Sequence, residues 1–437
     1  ARINTLNIKY LNAESTETTY DIRRYALMYD IDIDQTQYRE GRWISIAYGT
    51  KTVTSGDDSL AVQDALIDFD GQEHTIEGLQ TSLFTVVGSQ DDSSVKSNVM
   101  NLRLTDVTLT GKGALAQTIY SAKVYNMTLS GFVTTAVKGT YSVSSGVGDT
   151  SYGILGGLAN DAFDSDISTI TNLIKIDVNE RVSDTEAVAV GGIVGYMALT
   201  KINYSSNYGP INVAINGNSN DYQYYVGGLV GRTDVVSTIN YSYNATSVMA
   251  GYATSTSLST AIGDYYVGGL VGYSNAGITI EGSYNSGAIK SGNKSNGATS
   301  GRSTNGVSYG GGIVAYATYA NTTECYNEGT VESLGTSPTT AFEWVDNSTY
   351  SESLTLKQTS SRNVWAYAMG YLAGGNITNV STRDATATSI FANGSALEKN
   401  TVFNSWAFSD IASQVSTSAL NDDDIDWGWI WWRQDGF

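Results

Sequence analysis

Short segments in which aliphatic residues stand beside glycine recur along the chain. The sequence Y-V-G-G-L-V-G occurs at Tyr225–Gly231 and again at Tyr266–Gly272, with looser copies at Val190–Gly195 and Gly310–Ala315. Such short, Val- and Leu-rich segments closed by glycine are typical of strands rather than of helices. One glycine precedes the aliphatic pair in each copy, and these repeat glycines are Gly192, Gly228, Gly269 and Gly312. Their intervals of 36, 41 and 43 residues indicate stacked structural repeats.

A single copy of this segment cannot bury its apolar face, whereas stacked copies can, each lying on the one before at the strand spacing of about 4.8 Å. The sequence therefore predicts an all-β chain that folds as a right-handed parallel β-helix, or β-solenoid. Its repeats span about 40 residues, with loops of variable length leaving the stack. Stacked helical repeats are the alternative, and they are disfavoured because no window with a period of 3.6 residues recurs at this interval.

A second motif follows each repeat glycine in phase. It reads Ser-Tyr-Asn or a close variant, and its asparagines are Asn207, Asn244, Asn285 and Asn327. Identical amides at one corner of successive coils can hydrogen-bond along the stack, as in the asparagine ladders of cross-β assemblies. Asparagine also tolerates the left-handed turn conformation. We therefore predict a structural ladder at these positions, with ligand binding as the minor alternative.

The repeats divide the chain into three parts. Residues 1–66 lack the repeat and are strand-rich, which predicts a cap or docking segment beside the first coils. Residues 67–400 carry the solenoid repeats, with an insertion at about 333–363. Residues 401–437 form a closing segment, whose predicted end-cap or interface residues are Trp427, Trp429, Trp431 and Trp432.

Composition narrows the class of protein. The 437 residues carry a formal net charge of −19 and include 46 Gly, 30 Tyr and 2 Pro. This acidity argues against nucleic acid and against anionic membrane surfaces as partners. The single cysteine, Cys325, excludes an intrachain disulfide framework, and the sequence holds no apolar run of membrane-spanning length. The chain begins at Ala1 without Met or a signal sequence, from which we expect a processed, exported chain.

Candidate metal-binding groups are few. Asp30, Asp32 and Asp34 alternate on one face of a predicted strand and could hold a structural Ca²⁺, although a solvated strand face is the simpler interpretation. His74 is the only histidine, so a site built from several histidines is excluded. It follows Asp70-Gly71, which is a signal for a tight turn between strands.

Enzymatic activity is the alternative that this fold class leaves open, because parallel β-helices host polysaccharide lyases and glycosidases. Those enzymes need paired carboxylates on one face. The cluster of Asp161, Asp164 and Asp166 is predicted to lie in a loop, and the in-phase positions of the repeats carry Asn, Ser, Tyr and Gly instead of carboxylates. We therefore predict that the chain is not an enzyme, with no catalytic residue and no cofactor.

Several linked motifs resemble those of one known family. F-D-G-Q-E-H-T-I-E-G-L stands at Phe69–Leu79, the core G-G-L-V-G at Gly227–Gly231 and Gly268–Gly272, and W-W-R-Q-D-G-F closes the chain at Trp431–Phe437. With this set the chain resembles the GLUG-motif repeat proteins, which are secreted or surface β-solenoids. The resemblance implies an extracellular structural or binding role and no catalytic apparatus. The insertion at 333–363 departs from the regular step of that family.

The predicted solenoid and the family resemblance favour two non-enzymatic functions. One is a structural subunit of a cell-surface fibre or sheath that assembles end to end, because a solenoid presents strand edges at its ends. The other is a surface adhesin that binds carbohydrate, for which exposed tyrosines would be the platforms, whereas buried tyrosines would only be packing. The expected partners are further copies, other surface proteins or glycans, and the expected location is extracellular or the cell surface. Among ten N-x-S/T sequons, we predict that Asn293 and Asn347 are exposed glycosylation acceptors.

Overall fold

The computed structural model describes residues 23–33, 45, 67–89, 96–138, 152–180, 187–214, 222–251 and 263–292, and most of 308–333. It also describes the backbone of short strands between 50 and 65 and between 342 and 407. Within these ranges the chain forms β-strands and no helix, so the all-β prediction is confirmed.

Nearly all strands belong to two large sheets. The strands of the 21-stranded first sheet are Arg23–Ala26, Ile31–Asp32, Ile67–Glu77, Ser97–Thr110, Ala122–Thr134, Asp166–Val178, Lys201–Asn203, Ser206–Asn207, Ile211–Val213, Ser237–Asn240, Tyr243–Asn244, Val248–Ala250, Ile278–Glu281, Tyr284–Asn285, Ile289–Ser291, Ala320–Thr323, Tyr326–Asn327, Val331–Ser333, Gly375–Thr378, Ser381–Thr382 and Trp406–Ala407. The strands of the 14-stranded second sheet are Asp64–Ala65, Val86–Ser89, Ala116–Tyr120, Val137–Lys138, Tyr152–Gly156, Ala159–Phe163, Ala187–Gly191, Val194–Ala198, Tyr222–Gly227, Val230–Thr233, Gly263–Gly268, Val271–Ser274, Ser308–Ala317 and Trp365–Leu372. Two small antiparallel pairs join Thr50–Lys51 to Leu60–Ala61 and Phe342–Val345 to Ser353–Leu356.

Successive coils stack in parallel, one residue directly over its counterpart. Val226 lies opposite Val267, Ile239 opposite Ile280, and the repeat motifs therefore pair with themselves. The three coils between residues 187 and 291 each contribute three short strands to the first sheet and two to the second, whereas in the earlier coils the first-sheet strand is continuous, as in Asp166–Val178. This arrangement confirms the predicted parallel β-solenoid.

The core lies between the two sheets and is made mostly of aliphatic side chains. Leu229, Val230, Ile239 and Val248 of one coil are fully buried, and the same holds for their counterparts in neighbouring coils. Burying an aliphatic side chain of this size contributes about 1.5–3 kcal/mol. Because each coil alone could bury only one face, the stacking of coils supplies most of this stabilisation.

The N-terminal segment joins the stack as a partial coil. Arg23–Ala26 pairs in parallel with the beginning of Ile67–Glu77, and Ile31–Asp32 pairs with its end. The predicted tight turn at Asp70-Gly71 is wrong, because Ile67–Glu77 is one strand that follows the continuous strand Ser97–Thr110. The turn residues form a bulge in which the register shifts between Asp70 and His74.

The predicted loop at the Asp161 cluster is also wrong for Asp161 itself. This residue lies in the strand Ala159–Phe163 and is 4% exposed, while Asp166 begins the next strand. A local run of polar residues suggested a loop, but the parallel register with Ala116–Tyr120 and Val194–Ala198 holds the segment in the second sheet.

Candidate ligand-binding face

The ladder asparagines form one buried column along the stack. Each Nδ2 donates a hydrogen bond to Oδ1 of the next coil, at 2.9 Å from Asn207 to Asn244, 2.7 Å from Asn244 to Asn285 and 2.8 Å from Asn285 to Asn327. A fifth residue, Asn172, donates to Asn207 at 2.8 Å. Sequence reasoning missed Asn172 because its segment lacks the Ser-Tyr-Asn motif, although its spacing of 35 residues from Asn207 fits the period.

These amides have little capacity left for a ligand. The Nδ2 of Asn207 also donates to the carbonyl of Gly209 at 3.1 Å, and that of Asn285 donates to Gly287 at 2.9 Å. Asn244 is fully buried, so its sequon cannot accept a glycan in the folded chain. The column therefore acts as internal support, since buried amides that satisfy one another fix the stacking register.

The repeat glycines lie against this column. A Cβ on Gly192 would lie 2.6 Å from Cγ of Asn207, and one on Gly228 would lie 2.5 Å from Cγ of Asn244. Gly269 faces Asn285 in the same way, and Gly312 faces Asn327. The repeat glycines and the ladder asparagines therefore contact each other. Because each glycine lacks a side chain, there is room for the asparagine amide.

A second, smaller cluster lies outside the main core and is built from tyrosines. Tyr225 packs against Tyr152, Tyr266 and Tyr273, with ring centroids 4.8–6.2 Å apart. Burial raises the pKa of Tyr225 well above its ordinary value, so the phenol stays neutral. Most tyrosines of the second sheet are thus packing residues and offer no platform to a ligand.

One cation lies within these rings. Arg232 occupies the position held by Tyr196 in the coil before and Tyr273 in the coil after. Its guanidinium lies 4.4 Å from the ring centroid of Tyr152 and 4.6 Å from that of Tyr225. Nη2 lies 2.8 Å from Oδ1 of Asp234, and Nε donates to both of its carboxylate oxygens at 2.9 Å. The sequence carried the signal, because V-G-R-T breaks the pattern of V-G-Y-M and V-G-Y-S.

The buried carboxyl of Asp161 predicts a stability that depends on pH. Burial raises its pKa from 3.8 to about 7, against a hydrogen bond from Thr118 that lowers it. Between these values the folded chain holds a proton that the unfolded chain has released, so stability falls as pH rises from about 4 to 7. The shift corresponds to about 4 kcal/mol.

We expect Asp161→Asn to remove this dependence and to unfold at a higher urea concentration than the wild type at pH 8, with little difference at pH 4. Urea unfolding followed by circular dichroism at the two pH values measures both effects. Identical pH dependence in the wild type and Asp161→Asn would contradict the assignment.

Apart from Tyr29, which is 78% exposed near the N-terminus, the most exposed tyrosines of the described residues lie on the outer surface of the first sheet. We define the tyrosine face as Tyr204, Tyr208, Tyr241, Tyr243 and Tyr284. Tyr204 is 63% exposed and Tyr208 is 40% exposed, while the other three are half-buried. Sequence reasoning named tyrosines as possible platforms without selecting any; the repeated I-N-Y-S at positions 202–205 and 239–242 was the available signal.

The rings of the tyrosine face are ordered by the stack. Tyr204 lies on Tyr241 with centroids 5.3 Å apart and planes 11° apart, and Tyr243 lies on Tyr284 at 4.6 Å and 9°. The hydroxyl groups of Tyr208 and Tyr243 are hydrogen-bonded to each other. Burial and this hydrogen bond raise the pKa of Tyr208 to about 12. The phenol of Tyr208 is therefore uncharged at neutral pH.

Tyr204 and Tyr241 hold their positions in an unfavourable backbone conformation. Both have φ of 48°, in a column of left-handed residues that also contains Asn126, Thr169 and Gly282. A non-glycine residue there costs roughly 1–2 kcal/mol, and such positions cluster at functional sites. Since glycine fits the same column at Gly282, the backbone does not require tyrosine, and this favours a role for the rings of Tyr204 and Tyr241.

The remaining predicted site residues lie elsewhere. The Oδ1 of Asp30 lies 3.0 Å from Nδ1 of His74 and accepts a hydrogen bond from the backbone of Thr75 at 2.8 Å. That backbone hydrogen bond and the one from His74 lower the pKa of Asp30. No group of three or more His, Cys, Asp or Glu that could hold a metal occurs in the described part of the chain. The predicted acceptors Asn293 and Asn347, and Asp34, Trp427, Trp429, Trp431 and Trp432, lie outside the described residues.

Comparisons with known proteins yield structural neighbours only. No family model matches the sequence, and no curated protein matches it. One similar solved structure is an "IgA1 Protease", with 17% identity and a TM-score of 0.38 over 80% of this chain and 24% of that one. Another is a "putative immunoglobulin A1 protease from Bacteroides ovatus", with 14% identity and a TM-score of 0.33 over 83% of this chain and 78% of that one.

The chain thus spans about a quarter of the first neighbour's length. The protease activity in these names belongs to those proteins, and similarity at this level carries no argument about activity. The resemblance to GLUG-motif proteins stays a prediction. Among the described residues, no helix is long and apolar enough to cross a membrane.

Proposed function

We propose that this chain is an exported, non-enzymatic β-solenoid of the cell surface with an adhesive role, and that its tyrosine face binds an extracellular glycan. The observation that carries the proposal is the exposure of Tyr204 and Tyr208 on the first sheet, whereas the tyrosine cluster of the second sheet is largely buried. Aromatic side chains present a flat apolar surface with a polar rim, which suits the C–H face and the hydroxyl groups of a sugar ring.

The surroundings of the rings support the same ligand class. Asn203 and Asn240 lie beside Tyr204 and Tyr241 on the outer surface and are joined by a hydrogen bond of 3.0 Å. Amide groups can both donate to and accept from sugar hydroxyl groups. Rigid stacked coils hold rings and amides at fixed spacing, so a repeating polymer can contact several coils at once.

The double variant Tyr204→Ala/Tyr241→Ala is expected to bind a glycan at least about tenfold more weakly than the wild type, because both stacked rings are removed. Screening on a glycan array, followed by calorimetry with the best ligand, measures the loss. Leu199→Ala is the matched control, since Leu199 is 59% exposed at a different corner of the coil and should leave binding unchanged. Absence of binding to every glycan, or binding that survives the double variant, would refute the proposal.

A structural role in a fibre or sheath is the second candidate. The parallel stack extends as far as the strand Trp406–Ala407, which pairs with Ser381–Thr382. The end of such a stack offers backbone groups that a further copy could extend. Electron microscopy of the native material distinguishes the candidates, because end-to-end assembly predicts filaments one solenoid wide, whereas an adhesin that acts alone predicts separate particles.

A further inference from the structure

Tyr204 and Tyr241 are stacked in the column of left-handed residues, and the next position of that column holds a small residue. Going toward the N-terminus, the position below Tyr204 is held by Thr169, which is exposed. Within the described structure Tyr204 makes a ring contact with Tyr241 alone. One face of the Tyr204 ring is therefore covered by Tyr241, and the other lies over Thr169 without an aromatic partner.

Polar groups accompany this open ring face. The Oδ1 of Asn203 accepts a hydrogen bond from Nδ2 of Asn240, while its own Nδ2 has no hydrogen-bond partner among the described residues. A ligand hydroxyl group beside Tyr204 could accept a hydrogen bond from this N–H donor. The Oδ1 of Asn240 also lacks a partner among the described residues, but it is fully buried and a ligand cannot reach it.

Charged residues of both signs lie near this ring. Lys201 pairs in register with Asp166 on the neighbouring strand, and the nearby Glu281 accepts a hydrogen bond from the hydroxyl of Tyr241 at 3.1 Å. The chain as a whole carries a net charge of −19. An anionic polymer would be repelled by this overall charge and would find no basic patch in these neighbouring residues, so a neutral ligand is favoured.

We propose that the open face of Tyr204, together with Thr169 and the amide of Asn203, is a subsite for one neutral hexopyranose unit of a polysaccharide. This inference rests on the proposed function and specifies its ligand. The sugar ring lies against Tyr204 on the side of Thr169, and one of its hydroxyl groups accepts a hydrogen bond from Nδ2 of Asn203. The subsite occurs where the tyrosine pair stops, because a third tyrosine in the column would occupy the position of the sugar.

The decisive variant is therefore Thr169→Tyr, which adds a third ring to Tyr204 and Tyr241 instead of removing one. The column already accepts tyrosine at φ of 48°, and Thr169 has φ of 54°. The probes are neutral oligosaccharides of glucose, mannose and galactose, with polygalacturonate and hyaluronan as acidic counterparts, measured by calorimetry. We expect Thr169→Tyr and Tyr204→Ala each to weaken binding of the preferred neutral oligosaccharide by at least about tenfold.

A variant outside the subsite acts as the control. Leu199→Ala changes an exposed side chain that is not part of the subsite, so it should bind within about threefold of the wild type. Binding of neutral probes should change little between low and high salt, because no ion pair with the ligand is involved. Urea unfolding of each variant establishes that it is folded, and Tyr204→Ala provides the test if Thr169→Tyr is not.

The outcomes separate this inference from the proposed function. If Thr169→Tyr is folded and binds normally while Tyr204→Ala/Tyr241→Ala does not bind, the subsite is wrong and glycan binding by the face stands. Preference for the acidic probes overturns the neutral ligand class. Failure of all probes and of the glycan array overturns both proposals.

Discussion

Replacing Asp234 with alanine is expected to destabilise the folded chain by about 3–5 kcal/mol, because the guanidinium of Arg232 would then be buried without its counter-ion. The Arg232 side chain is 9% exposed and that of Asp234 is 1% exposed, so water cannot replace the carboxylate. The three surrounding tyrosine rings attract the cation but carry no formal charge. Urea unfolding followed by circular dichroism measures the loss.

A compensating variant tests the cause of this loss. Arg232→Tyr/Asp234→Ala removes both charges and places at position 232 the residue type found at Tyr196 and Tyr273. We expect this double variant to recover most of the stability, because a buried ion pair can often be replaced by well-packed rings at little cost. A single Asp234→Ala variant that unfolds within about 1 kcal/mol of the wild type would show that the pair is better solvated than its burial indicates.

Gly228→Ala is expected to destabilise the chain by about 3 kcal/mol or more, since overpacking here cannot be relieved by a side-chain rotation. The added Cβ would lie 2.0 Å from the carbonyl oxygen of Gly269 and 2.5 Å from Cγ of Asn244. The first contact is with the backbone of the next coil, so two coils would have to separate locally. Circular dichroism during urea unfolding measures the shift in midpoint.

Two further variants test whether this loss of stability arises where Gly228 contacts the asparagine column. Asn244→Ala keeps Gly228 but removes one hydrogen bond each from Nδ2 of Asn207 and Oδ1 of Asn285, and it should also destabilise the chain, by about 1–3 kcal/mol. Thr238→Ala, on the outer surface of the same coil, should change stability by less than about 0.5 kcal/mol. A Gly228→Ala chain as stable as Thr238→Ala would mean that the column and the repeat glycine are not in contact.

The fold was largely determined by residues that repeat. Val226, Leu229 and Val230 recur at the same interval as Asn244, and a chain that repeats both motifs in phase can satisfy them together only by stacking identical coils. The asparagine ladder followed from the same reasoning, because equal spacing places identical amides at one corner. Features that occur in a single coil could not be predicted from the repeat. The bulge after Asp70, for example, depends on a neighbouring strand that is distant in sequence.

The candidate binding face shows the limit of the sequence most clearly. Tyr204 and Tyr225 both lie in periodic strand-like segments, yet the first is 63% exposed and the second is 3% exposed. The difference arises because Tyr225 faces a second layer of rings and Arg232, whereas Tyr204 lies at a left-handed bend of the outer sheet. Neither the bend nor the second layer leaves a signal in hydrophobic periodicity.

By itself, the sequence determined that this chain stacks parallel strands with a ladder of amides, since periodic glycine and asparagine allow close coil contact and pairing along the axis. Only the tertiary structure decided which tyrosines are packing and which are surface, that Asp161 is buried in a strand, and that Arg232 replaces a ring inside a cluster. The physical reason is that burial and charge compensation are set by neighbouring coils and by the two faces of a sheet, which a linear pattern of two-residue period does not distinguish.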